Sequence, residues 1–239
     1  SPQRLEFPFS LINVPTDGVD SATELPSGLN QLTPAWVLRH SLYQVRRNDE
    51  KHRQRDRARH DVLALDAMSQ RTIQLMQVAL KRLEQAAEQP VYTETDIAGL
   101  GRNFMTRRAL EDAIETYRFH INCFALHRVK QRLETAGVKA AAERAADCLL
   151  ADPDDPDWTF ARQLLDGRTD IPAMLEELRA GERTMAEQVE SSKRKDDERM
   201  ARIFGGSVTT STPAEEDAMV KLNWTAFEEL SREIDSLLE

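Results

Sequence analysis

The sequence predicts an all-α fold: an elongated helical bundle with long antiparallel helices, coiled-coil-like packing and an extended amino-terminal arm. Three observations predict this class. Helix-favouring residues dominate the 239-residue chain, while aromatic residues make up only 6% of it and β-branched residues are sparse. Residues 35–89 contain neither proline nor glycine. Several segments also repeat apolar residues at the three- and four-residue spacing of an amphipathic helix.

The composition predicts a folded cytoplasmic protein. Hydrophobic residues account for 40% of the chain and charged residues for 31%, which is ordinary for a soluble domain. No apolar run approaches the roughly 18 residues of a membrane span, and no secretory signal opens the sequence. Cys123 and Cys148 have no paired spacing, so we expect free thiols in a reducing compartment. The ratio of 25 arginines to 7 lysines indicates a bacterial, GC-rich genome.

The first region, residues 1–32, is predicted to be an extended, proline-rich arm. Half of the ten prolines lie within the first 34 residues, and apolar side chains alternate at Leu5, Phe7, Phe9 and Leu11, which favours an extended chain. Two alternatives remain for this arm. It packs along the protein's own helices, or it serves as a docking peptide in which Phe7 and Phe9 contact a partner.

The second region, residues 33–204, is predicted to be a helical bundle whose first helix begins at Thr33 and Pro34. If residues 35–89 formed one continuous helix, it would be roughly 80 Å long at 1.5 Å per residue, so we expect either a rod or a hairpin broken near its middle.

Within this stretch, residues 46–60 carry seven arginines and lysines against three acids and have no apolar face. They are predicted to form a solvated or internally paired face, a surface for an acidic protein, or a surface for nucleic acid or anionic lipid. The candidate interaction residues are Arg46, Arg47, Arg53, Arg55, Arg57 and Arg59.

A second long helix, residues 106–136, is apolar on two sides and is predicted to lie at the centre of the bundle. It carries His120, Cys123 and His127 within a narrow arc, and imidazole and thiolate groups at this spacing are weak candidates for a transition-metal site. The alternative interpretation makes Cys123 a small buried hydrophobe and the histidines flanking residues bonded to their neighbours. We favour this alternative and therefore expect no metal and no cofactor.

The rest of the chain predicts three further features. Residues 170–204 form a helix interrupted at Gly181, with a solvated polar middle at residues 190–199. Residues 205–212 form a flexible linker. A capping box at Thr212 and Glu215 then begins a carboxy-terminal amphipathic helix over residues 213–239. Because this helix needs a surface to cover its apolar stripe, we expect it to bind its own bundle or another chain through Phe227, Leu230 and Ile234.

These features predict a non-enzymatic protein that acts as an interaction protein, scaffold or adaptor. The chain contains no phosphate-binding loop, dinucleotide fingerprint or catalytic motif. Its net charge of −9 argues against a dedicated nucleic-acid-binding protein. A protein partner or self-association is therefore the expected mode of action. The alternative is a nucleic-acid-associated accessory protein that uses the basic segment 46–60.

Overall fold

The computed structural model describes residues 5–14, 28–55, 67–142, 144–150, 155–203 and 212–239. Helices account for 67% of these residues, in eight segments accompanied by a small four-stranded sheet. The fold is therefore mostly helical, as predicted, but the small sheet means that it is not purely all-α. The strands have only two to four residues, too few for a two-residue periodicity to stand out in the sequence. No helix in the described part of the chain is long and apolar enough to cross a membrane.

The chain divides into two compact units. Unit 1 contains Ser1–His40 and Val62–Ile121, and unit 2 contains Ser41–Asp61 and Asn122–Glu239. The helix predicted over residues 106–136 is present as α4 (Arg107–Ala136), a continuous helix whose first half belongs to unit 1 and whose second half belongs to unit 2. The predicted linker 205–212 lies outside the described residues except for Thr212.

Unit 1 combines the sheet with three helical segments. Strand β1 (Leu11–Asn13) pairs antiparallel with β2 (Asn30–Thr33), which pairs in parallel with β4 (Asn103–Thr106). Strand β3 (Val91–Tyr92) pairs antiparallel with β4 and completes the order β1-β2-β4-β3. Helices α1 (Trp36–His40), α3 (Gln70–Glu84) and the first half of α4 complete the unit. Its buried side chains include Leu32, Leu38, Ile73, Met76, Phe104 and Tyr117.

The described part of the amino-terminal arm packs within unit 1. The side chain of Phe7 is buried, and the Tyr117 hydroxyl donates a hydrogen bond of 2.6 Å to the carbonyl of Pro8. The amide of Val37 donates to the carbonyl of Phe9 at 3.0 Å. The described part of the arm therefore packs along its own protein, which is the first of the two alternatives, and its backbone carbonyls accept hydrogen bonds there.

The first predicted helix begins later than expected and is not continuous. Ala35 has a φ of +56°, a left-handed conformation that an α-helix cannot include, so α1 begins at Trp36 rather than at Pro34. The chain leaves helical geometry again at Ser41 before α2 (Leu42–Arg55). Of the two alternatives for residues 35–89, the continuous rod is therefore wrong. The Ser69 hydroxyl caps α3, and the middle of the stretch, residues 56–66, lies outside the described residues.

Unit 2 contains α2, the second half of α4, α5 (Ala145–Leu150), α6 (Pro156–Leu164), α7 (Ile171–Ile203) and α8 (Ala218–Leu238). The predicted interruption at Gly181 is wrong, because α7 runs through this buried glycine without a break. The predicted capping box at Thr212 is also wrong. Asp217 caps α8 instead, because its carboxylate accepts hydrogen bonds from the amides of Met219 and Val220.

Helix α8 covers its apolar residues against its own unit. Val220, Ile234 and Leu237 are buried, and the last two belong to a hydrophobic cluster with residues of α4, α5, α6 and α7. The indole of Trp224 donates to Glu190 of α7 at 2.9 Å, and Arg179 of α7 donates to Asp235 at 2.5 Å. Because the earlier residue of α7 meets the later residue of α8, the two helices run antiparallel.

Candidate functional site

A buried polar cluster lies where α2, α7 and the start of α8 meet in unit 2. The side chain of Lys193, on α7, is almost fully buried. Its Nζ donates to both carboxylate oxygens of Asp197, at 2.5 and 2.6 Å, and to the carbonyl of Thr212 at 2.6 Å. Nζ also lies 5.9 Å from the ring centroid of Tyr43. We call Tyr43, Lys193, Asp197, Thr212 and Asp217 the Lys193 cluster.

Tyr43 joins α2 to this cluster. Its hydroxyl donates to the Asp217 carboxylate at 2.9 Å, and its backbone amide donates to the Ser192 hydroxyl at 3.0 Å. Burial, the hydrogen bond to Asp217 and the charge of that carboxylate together raise the pKa of Tyr43 to about 12. A hydroxyl that stays protonated near neutral pH cannot act as a general base. The hydrogen bonds of the cluster join three chain segments: α2, α7 and the segment before α8.

The Lys193 cluster contradicts one sequence prediction. The polar middle of α7 was expected to be solvated, yet Ser192 and Lys193 are both buried. Their partners come from α2 and from the segment before α8, at sequence separations of up to 149 residues. No local pattern in the sequence signals such contacts, because residues 190–199 contain almost only polar side chains.

The raised pKa of Tyr43 predicts that the protein loses stability at high pH. Because its pKa is raised in the folded state, from 10.0 to about 12, the folded state favours the neutral hydroxyl. This contribution is complete below pH 10 and is lost as the pH rises towards 12. In Tyr43→Phe, we expect the free energy of unfolding to be lower by about 1–3 kcal/mol at neutral pH and to fall less steeply between these pH values. Urea unfolding followed by circular dichroism at each pH measures both effects.

Tyr92→Phe is the matched control, because it removes a tyrosine hydroxyl from unit 1 that accepts a hydrogen bond from the Gln89 amide rather than donating one to a carboxylate. It therefore measures, at neutral pH, the cost of losing a buried tyrosine hydroxyl that does not donate to a carboxylate. If the free energy of unfolding fell equally steeply between pH 10 and 12 in Tyr43→Phe and in the original protein, the assigned role of Tyr43 would be contradicted.

The structure does not bring His120, Cys123 and His127 together as a metal site. The imidazole of His120 is buried in an edge-to-face contact with Phe119. His127 lies in unit 2, where its Nε2 is 2.6 Å from a carboxylate oxygen of Glu182. Within the described ranges, no group of three or more His, Cys, Asp and Glu side chains is arranged to hold a metal ion.

The thiol of Cys123 is buried and chemically protected. Its burial, followed by the nearby carboxylates of Glu182 and Glu177, raises its pKa from 9.0 to about 12. At neutral pH this lowers the fraction of thiolate on the order of a thousandfold, and the thiolate is the form that attacks electrophiles and binds metals. The Cys123 side chain therefore acts as a small apolar group in the packing of α4.

We expect the two free cysteines to react at very different rates. Cys148 is partly exposed whereas Cys123 is buried, so iodoacetamide at neutral pH should modify Cys148 first and leave Cys123 unmodified until urea unfolds the protein. Peptide mapping by mass spectrometry at successive times measures both rates. Cys148→Ser is the control and should show almost no early labelling. Early labelling of Cys123 in the folded protein would show that its burial is wrongly assigned.

The described part of the basic segment shows three different environments. Arg46 is half-buried and its guanidinium lies 3.7 Å from the sulfur of Met185. Arg53 pairs with Glu50 within α2 at 3.3 Å. Arg47 is exposed and makes no ion pair with any other described residue. The side chain of Arg55, and all of Arg57 and Arg59, lie outside the described residues.

The residues predicted on α8 lie on its α7-facing side. Ile234 is fully buried, while Phe227 and Leu230 are half-buried. Leu230 packs against the hydrophobic cluster of unit 2, and the ring of Phe227 meets Trp224 edge to face at 5.9 Å. These side chains stabilise unit 2, and little of their apolar surface is left for a partner.

An open groove borders the second half of α4 in unit 2. A cavity of about 200 Å³ is lined by residues that include Arg128, Arg132, Asp155 and Trp158. The guanidinium of Arg132 stacks over Trp158 at 5.7 Å and donates to the Cys148 carbonyl at 3.3 Å. The Asp155 carboxylate caps α6. The polar groups of the groove therefore already serve the protein's own structure.

The end of α7 offers the most exposed helical surface that the structure describes. Every residue from 198 to 203 is exposed, including the apolar side chains of Met200 and Ile203, which are 45% and 65% exposed. Lys195, Arg199 and Arg202 follow at the four- and three-residue spacing that places them on one face of the helix. We call Lys195 together with residues 198–203 the α7 end.

Comparison with protein-family models, with curated proteins and with solved structures finds no match for this chain.

The α7 end was not among the interaction residues predicted from the sequence. Its apolar residues, Met200 and Ile203, lie in a long charged segment where three-residue spacing alone does not distinguish an exposed pair from a buried one.

Proposed function

We propose that this chain is a non-enzymatic interaction protein that binds an acidic protein partner through the α7 end. The observation that carries this proposal is the exposure of six consecutive helical residues, two of which are large and apolar. A helix on the surface of a folded unit normally buries one face. Every one of residues 198–203 is exposed, so this stretch has no face buried against the described part of its unit.

The α7 end carries three basic residues against one acidic residue, Glu198, while the intervening Asp196 and Asp197 are bonded to Gln44 and Lys193. This excess of positive charge supports an acidic partner. Lys195 and Arg202 make no ion pair in the described part of the chain, and Arg199 makes only a long contact of 3.9 Å with Asp196. A partner with carboxylates around a small apolar pocket would complement these cations and the side chains of Met200 and Ile203. We place this activity in the cytoplasm, since the two free cysteines suit a reducing compartment.

Helix α3 provides a useful contrast with the α7 end. It also exposes two apolar side chains three residues apart, Leu75 at 47% and Val78 at 48%. However, α3 buries its opposite face through Ile73, Met76 and Ala79, as an ordinary amphipathic surface helix does. Scattered apolar residues on such a helix are common and need no partner. The α7 end lacks this second, buried face.

Affinity capture with matched variants tests the proposal. The original protein, Met200→Ser/Ile203→Ser and the control Leu75→Ser/Val78→Ser are each used to capture proteins from a nuclease-treated extract of the source cells. We expect one captured protein to give a mass-spectrometric signal that is at least about tenfold lower with the first variant than with the original protein. The control variant should capture this protein as the original does. Circular dichroism checks that all three proteins are folded. Identical capture by the original protein and the α7 variant would contradict the proposal.

A charge-reversed variant, Lys195→Glu/Arg202→Glu, tests the acidic character of the partner. It should no longer capture the partner, and capture of the partner by the original chain should weaken as the salt concentration is raised. Retention of that protein by the reversed variant would show that the partner is not selected by its acidic surface.

Nucleic-acid association through the basic segment is the alternative function. The observation that favours it is the pair Arg47 and Lys51, one helical turn apart on α2, which make no ion pair with the residues that the structure describes. A duplex DNA tested across a salt series distinguishes the two functions. Binding that falls steeply with salt and is lost in Arg47→Glu/Lys51→Glu would favour the alternative. Absence of DNA binding together with retained protein capture would exclude it.

A further inference from the structure

No further inference is drawn: the strongest candidate, the open groove beside the second half of α4 between Arg132 and Trp158, carries none, because its arginines already bond or stack within the protein and no buried polar atom without a partner lies among its described lining residues.

Discussion

Replacing Lys193 by methionine is expected to lower the free energy of unfolding of the protein by about 1–3 kcal/mol. The variant keeps the length and the apolar stem of the side chain but removes the ammonium group. The Asp197 carboxylate and the Thr212 carbonyl then lose the hydrogen bonds that they accept from that group. Water can replace part of them, because the Asp197 side chain is 27% exposed and Thr212 is exposed, whereas the buried position of Lys193 itself is left without a polar group. Urea unfolding followed by circular dichroism measures the change.

Lys221→Met is the control for this prediction. Lys221 is exposed on α8 and makes no ion pair within the described ranges, so its replacement should change the free energy of unfolding by no more than about 0.5 kcal/mol. The double variant Lys193→Met/Asp197→Asn should cost less than the sum of its two single variants, because it removes both members of the ion pair. A Lys193→Met variant as stable as Lys221→Met would contradict the assigned role of the cluster.

Replacing Trp158 by alanine is expected to lower the free energy of unfolding by about 3–5 kcal/mol, because it leaves a cavity the size of an indole in the core. Trp158 is buried on α6 and belongs to the hydrophobic cluster that joins five helices of unit 2. Its indole N–H also donates to the carbonyl of Leu149 at 3.3 Å, which links α6 to α5. The variant should therefore loosen the short helices first, which hydrogen exchange monitored by mass spectrometry can locate.

Two further variants separate the contributions of Trp158. Trp158→Phe keeps most of the buried apolar volume but removes the N–H donor, so we expect a loss of about 1–3 kcal/mol. Trp224→Ala removes a half-buried tryptophan of α8 and should cost less than Trp158→Ala. If the two alanine variants were equally destabilised, the central position of Trp158 in this core would be refuted.

Much of the helical content follows from the sequence, because three- and four-residue apolar spacing is a local property. The spacing of Leu110, Tyr117 and Ile121 predicts the long helix that the structure contains as α4. Asp155 followed by Pro156 predicts the start of α6, where Asp155 is indeed the cap. The strands could not be predicted, because their pairing joins residues that are distant in sequence, such as Asn30 and Asn103.

The candidate surfaces illustrate the same limit. Residues 46–55 and residues 190–199 have the same character in the sequence, because both are charged helical stretches without an apolar face. In the structure, Lys193 is buried while Arg202 is exposed on the same helix. The difference arises because Tyr43 and the chain around Thr212 pack against one turn of α7 and leave the last two turns uncovered. Sequence spacing contains no information about where a distant segment packs.

Local helix propensity and apolar spacing are sufficient to predict that this protein is mostly helical and where several of its long helices lie. Contacts between segments that are distant in sequence decide the rest: the chain forms two compact units, the described arm packs within one of them, Lys193 is buried and the α7 end is exposed. Burial depends on long-range packing, and a polar side chain enters a core only where distant groups supply its hydrogen bonds.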